Sequence, residues 1–142
     1  MKEQNFKNHS RYILQWHLLT GITVIAVVGG SIVNLVNSAK ENLYSASLLV
    51  AISLILASTF WYCRQFALRA QERAIRAEEN FRHYILTGKP FDHRIRMGQI
   101  IALRFASDEE FPSLTEKAIS EGLKRHEIKK AITNWRADHH RV

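Results

Sequence analysis

Three carboxylates stand together at Asp108-Glu109-Glu110, and they are the first place to look for acid–base chemistry. Ser107 precedes them, and Ser-x-x-Glu is also the pattern of a helix capping box. There a hydroxyl and a carboxylate each satisfy a free backbone N–H at a helix start. Asp108 and Glu109 then suit the positive end of the helix dipole. Structure therefore explains the cluster without catalysis. The seven histidines suggest a metal, but His9, His17, His83, His93 and His126 are scattered and His139 and His140 are adjacent, so no His-x-x-x-His pair forms. No Ser–His–acid or Cys–His set and no glycine-rich phosphate loop occurs at motif spacing. The expectation is a protein that is not an enzyme and carries no metal or cofactor. The single cysteine, Cys63, leaves no partner for an intrachain disulfide. It is read as an interfacial thiol, with S-acylation as the alternative.

The elements that carry these residues are set by one apolar block, Ile13 to Tyr62, interrupted near Asn34–Asn42. Residues 13–36 hold no Lys, Arg, Asp or Glu, and neither do residues 43–63. At 1.5 Å per residue the first stretch reaches roughly 36 Å, enough for a hydrocarbon core of about 30 Å. Neither stretch shows the polar stripe of a soluble core helix. A buried hairpin in a soluble protein would need more chain around it than 142 residues supply. The first stretch is too long for a signal-peptide apolar region and no small-x-small cleavage pattern follows it, so both are read as permanent spans.

The resulting fold class is all-α and membrane-bound. It comprises an N-terminal segment (1–12), a first span (13–36), an external turn (37–42), a second span (43–63), an amphipathic stalk helix (64–87) and a cytoplasmic helical region (88–142). Lys2, Lys7 and Arg11 precede the first span, and Arg64, Arg69, Arg73, Arg76 and Arg82 follow the second. The turn has only Lys40, beside Glu41. The positive-inside rule puts both termini in the cytoplasm and the protein in the inner membrane. Tyr12, Trp16, Trp61 and Tyr62, with Arg64 and Arg69, are the expected membrane-interface residues. The net charge of +7 lies in the flanks, where anionic lipid headgroups attract it.

Within the spans, Ala26 and Gly30, Ser47 and Ala51, and Ser53 and Ala57 have the small-xxx-small spacing that lets helices approach in lipid. Gln15 and His17 are expected to snorkel to the interface, and a pore would have only Thr20, Thr23, Ser31, Ser53 and Ser58 to line it. Along the stalk, Phe66, Ala70, Ala74, Ala77, Phe81 and Tyr84 recur at three- and four-residue spacing as a narrow apolar seam. It is the candidate surface for a protein partner or a second copy, and also the face expected to pack on the C-terminal helices. Glu72–Arg76 and Glu78–Arg82 read as i,i+4 pairs on the outer faces. Gly88 and Pro90 end the helix. Three helices are then expected, over Ile95–Ala106, from the Ser107 cap to Glu121, and from Lys124 to Asp138. The last would align Ile128, Ala131, Ile132 and Trp135, and Ala118–Gly122–Leu123–Ile128–Ala131 matches part of a helix-turn-helix. Lys124, Arg125, Lys129, Lys130, Asn134 and Arg136 are the candidate nucleic-acid contacts of that alternative.

The stretches 1–12 (MKEQNFKNHSRY), 43–47 (LYSAS), 70–83 (AQERAIRAEENFRH), 99–112 (QIIALRFASDEEFP) and 128–138 (IKKAITNWRAD) together resemble a family of small bacterial membrane proteins defined only as a domain of unknown function. The resemblance covers nearly the whole chain. It implies two spans followed by a helical cytoplasmic part, and it carries over no catalytic or binding residue.

Overall fold

A computed structural model describes residues 5–6 and 13–138. The Ser10 cap, the interfacial Tyr12 and the tail from His139 lie outside the described residues. Five α-helices and no strand occur among the described residues. A π-helical turn, Gln15–Thr20, leads into α1, Gly21–Asn37. A 3-10 turn, Lys40–Asn42, leads into α2, Leu43–Thr87. Then come α3, Met97–Leu103, α4, Phe111–Ser120, and α5, Arg125–Ala131. The chain divides into two compact units, Tyr12–Ala67 on one hand and Met1–Arg11 with Leu68–Val142 on the other.

Unit Tyr12–Ala67 is a helical hairpin. Two helices, Gln15–Asn37 and Lys40–Thr87, contain segments long and apolar enough to cross a membrane, and only 6% and 11% of those segments are buried. Burial marks the inner seam of the hairpin. Gly21, Val24, Val28, Ser31 and Leu35 are the less exposed positions of α1, and Ala46, Val50, Ser53, Ala57 and Phe60 those of α2. The Ser31 and Ser53 hydroxyl oxygens lie 3.0 Å apart. Trp16 stacks on Phe60 at 4.5 Å, and Phe60 also reaches over the bare Cα of Gly21. This corrects part of the expected packing. Ala26, Gly30, Ser47 and Ala51 face outward, and only Ser53–Ala57 lies in the seam. Spacing alone cannot choose among several small-residue stripes, and the serine pair and the aromatic stack select one.

The polar side chains of this hairpin turn back on their own helices. Thr20 donates to the Gln15 carbonyl at 3.0 Å, five residues back as a π turn allows, and Thr23 donates to Leu19 at 2.9 Å. Ser31, Ser53 and Ser58 donate to Val28, Val50 and Leu54. His17 hydrogen-bonds the Ile13 carbonyl through Nδ1 at 2.8 Å. Each hydroxyl thus finds an acceptor without water.

The second unit builds its core from Ile75 of α2, Ile95, Ile100, Leu103 and Phe105, Phe111, Leu114 and Ala118 of α4, and Ile128 and Ile132. The α3 start is closed by the Gln99 carbonyl oxygen, which accepts from the Arg96 N–H at 2.8 Å. The Gln99 amide donates onward to Ala118 at 2.7 Å and Leu123 at 3.1 Å, so one buried side chain ties the start of α3 to the end of α4. Gly88 and Gly122 take φ of 72° and 63°, the left-handed turns that close α2 and α4.

The last expected helix is shorter than its pattern. It ends at Ala131, and the chain after it is extended. Ala106 and Trp135 form an antiparallel bridge. Ser107 N–H donates to Asn134 at 3.1 Å and Arg136 N–H to Phe105 at 2.8 Å. Glu110 is not half of a capping box. Its carboxylate accepts from the Asn134 N–H at 2.9 Å, the Thr133 N–H at 3.2 Å and the Thr133 hydroxyl. These long-range acceptors outcompete the helix at Ile132-Thr133-Asn134, three residues with mediocre helix propensity. Trp135 reaches the core by this route and lies 5.2 Å from Phe105.

Candidate interaction surface

From Leu68 on, α2 presents two faces of opposite character. The face turned to its own unit is largely polar. Ile75 and Glu79 are buried there, and Asn80, Arg82 and His83 are half-buried. Asn80 accepts the Phe91 N–H at 2.8 Å. His83 Nδ1 hydrogen-bonds the Lys89 carbonyl at 2.8 Å, and its ring packs on Phe91 at 4.7 Å. Arg82 is the centre of the contact. It donates to Asp108 at 2.7 Å, to Glu79 at 3.1 Å and to the Ala106 carbonyl at 2.8 Å, and lies 4.3 Å from the centre of the Phe111 ring. The planar fork of arginine suits this set of partners.

The expected outer-face pairing of Glu78 with Arg82 is corrected by this geometry. Arg82 turns inward and pairs with Glu79, one residue nearer, and with Asp108. Burial raises the Glu79 carboxyl above its ordinary range, and the adjacent Arg82 opposes that rise. Beside it lies a cleft of about 520 Å³ lined by Glu78, Glu79, Arg104, Arg136 and Asp138. Its charges are of both signs, and Arg104 pairs with Asp138 at 3.1 Å. Among the described residues no three His, Cys, Asp or Glu side chains gather where a metal could sit.

The apolar seam lies on the opposite side of α2. Ala70, Ala74 and Ala77 are exposed, Phe81 is 64% and Tyr84 54% exposed, and the adjoining Ile85 is 65% exposed. Phe66, in the hairpin unit, is also exposed and stacks on Tyr62 at 5.8 Å. The expectation that this seam packs on the C-terminal helices is therefore overturned. The core took the Ile75–Glu79–Arg82 face because three of its polar groups find partners there. Sequence reasoning missed Arg82 and Glu79 for that reason: a charged residue on a helix reads as solvated until its partners are seen.

The remaining candidates separate by exposure. Of the membrane-interface candidates, Trp16 is half-covered by Phe60, Trp61 and Tyr62 are exposed, Arg64 is half-buried and Arg69 exposed. Of the nucleic-acid candidates, Lys124, Arg125, Lys130, Asn134 and Arg136 are exposed. Lys129 is 4% exposed, and its ammonium lies 5.0 Å from the Phe105 ring centre, so it serves the core. Asn134 and Arg136 lie beyond α5, in the extended strip. A seven-residue helix with an inward lysine presents little of the surface a recognition helix needs.

No curated protein and no solved structure matches the chain. One family does, and it covers every residue: over residues 1–142 the chain belongs to a family of unknown function (DUF6526).

Proposed function

We propose that the chain is a non-enzymatic, membrane-anchored interaction module. In this reading the hairpin lies in the inner membrane, both termini are cytoplasmic, and the unit following Ala67 docks a protein. The observation that carries it is the unpartnered apolar face of α2, with Phe81 64% and Tyr84 54% exposed opposite the face its own domain uses. The membrane part is supported by two apolar segments, of which only 6% and 11% is buried. The arginines flanking one end of the hairpin support the inward orientation, and a basic flank also favours anionic headgroups. The test is a pair of reporters fused after Val142, one active only in the periplasm and one only in the cytoplasm, with alkaline extraction of membranes. A cytoplasmic signal from a chain that resists extraction is expected. A periplasmic signal, or a chain soluble without detergent, refutes the reading.

A membrane-tethered nucleic-acid binder is the second reading, resting on the exposed Lys124, just before α5, and Arg125 and Lys130 within it. Titrating the detergent-solubilised chain with duplex DNA across a salt series decides it. Specific or steeply salt-dependent binding favours it, and a flat response at low salt removes it.

A further inference from the structure

The exposed face of α2 in the second unit has a register as well as a character. With Ala70, Ala77 and Tyr84 as d and Ala74 and Phe81 as a, the apolar positions follow a heptad through Tyr84. In this register Ile75, Glu79 and Arg82, which hold the helix to its own domain, fall at b, f and b on the back. The a/d face is thus the one the domain leaves open. Its flanks are of opposite sign: Arg73 falls at g and Glu78 at the following e, five residues on. In a parallel pair of helices, g of one chain meets that e of the other, so a two-fold axis along the seam makes two Arg73–Glu78 contacts at once. Both side chains are exposed, and among the described residues no ion pair of the chain engages either.

We infer that this face pairs with the same face of a second copy, parallel and in register, over Ala70–Tyr84. The inference rests on the membrane anchoring proposed above, which gives two copies the same orientation across the bilayer and so favours a parallel pair. A lipid surface is the less suited occupant. Membrane-lying helices bury large side chains beneath a basic polar face, whereas here three of the five core positions are alanine and one flank carries Glu78. Alanines instead let two helices approach closely, and Phe81 and Tyr84 supply area at the end of the seam.

The test uses the full chain with Cys63→Ser, purified and incorporated into vesicles, where any adduct is a homodimer. Ala74→Cys and Ala77→Cys are expected to form disulfide-linked dimers under mild oxidation, while Glu72→Cys and Arg76→Cys, exposed off the seam, are not. Arg73→Glu alone, or Glu78→Arg alone, is expected to lower the Ala77→Cys dimer yield about ten-fold. Combining the two reversals restores it, which excludes misfolding as the cause. Equal cross-linking at all four positions overturns the inference, as does indifference to the reversals. So does the absence of dimer, including the case where the two seam positions are shielded from a water-soluble maleimide, the signature of lipid contact. A vesicle-embedded chain that fails to pair overturns the pairing and leaves the anchored module standing. A chain recovered outside the vesicles overturns both.

Discussion

The guanidinium of Arg82 lies 4.3 Å from the centre of the Phe111 ring, and the same group is hydrogen-bonded to Asp108, Glu79 and the Ala106 carbonyl. One side chain on α2 thereby holds the start of α4, the loop before it and a buried carboxylate of its own helix. Arg82→Ala leaves Glu79 in a site built for a charge pair. It is expected to cost about 3–5 kcal/mol, the range for removing one partner of a buried ion pair. Arg82→Lys, unable to fork or stack, should recover little of it. Asp108→Asn should cost about 1 kcal/mol or less, since the Asp108 side chain is 62% exposed. Denaturant unfolding of the detergent-solubilised chain measures all three, and equal costs for Arg82→Ala and Asp108→Asn contradict the assignment.

The pH dependence follows from the same cluster. Burial of the Glu79 carboxyl raises it above its ordinary value of 4.5. Between that value and the folded one, the folded chain keeps a proton the unfolded chain has released. Stability should therefore fall as pH rises through the window just above 4.5, and Glu79→Gln should flatten that limb. Asp92, hydrogen-bonded by Arg94, and Glu109 are shifted the other way. Their contributions are lost only as pH drops below the ordinary carboxylate values. Melting temperatures from pH 4 to pH 8 for the wild-type chain and Glu79→Gln check the sign.

Glu110 closes the strip that follows α5. Glu110→Ala removes acceptors for both backbone amides at 133–134 and for the Thr133 hydroxyl. The expected cost is about 1.5–3 kcal/mol, as for hydrogen bonds to a charged group. Amide exchange at Thr133 and Asn134 should quicken more than at Ile128. Were the residue acting as a helix cap, the quickening would appear instead in the first turn of α4.

The hairpin seam can be tested by size. Ser53 is 1% exposed against Ser31, so Ser53→Leu forces extra volume into a closed contact and should cost about 1–3 kcal/mol. Ala26→Leu, on the outward face, should leave stability within about 0.5 kcal/mol. Thermal melts in detergent separate them. A reversed order would place the seam on the Ala26–Gly30 face.

Amino-acid type and spacing alone determined that the chain is helical, where its two uncharged stretches run, and where Gly88 and Gly122 interrupt it. Those are local properties, since charge exclusion, propensity and glycine's access to positive φ are written residue by residue. The family membership also reads directly from the residues. Which face of each helix meets which neighbour was decided by the tertiary structure. The apolar stripe of α2 is the more hydrophobic choice for a core. Yet the domain closes on the opposite side, where Asn80, Arg82 and His83 meet a backbone N–H, two carbonyls and two carboxylates. Residues 132–136 leave the helix their periodicity favours because Glu110 and the Phe105–Ser107 backbone offer hydrogen bonds from more than twenty positions away. Burial leaves a polar group no water to turn to, so partners remote in sequence dictate where it goes.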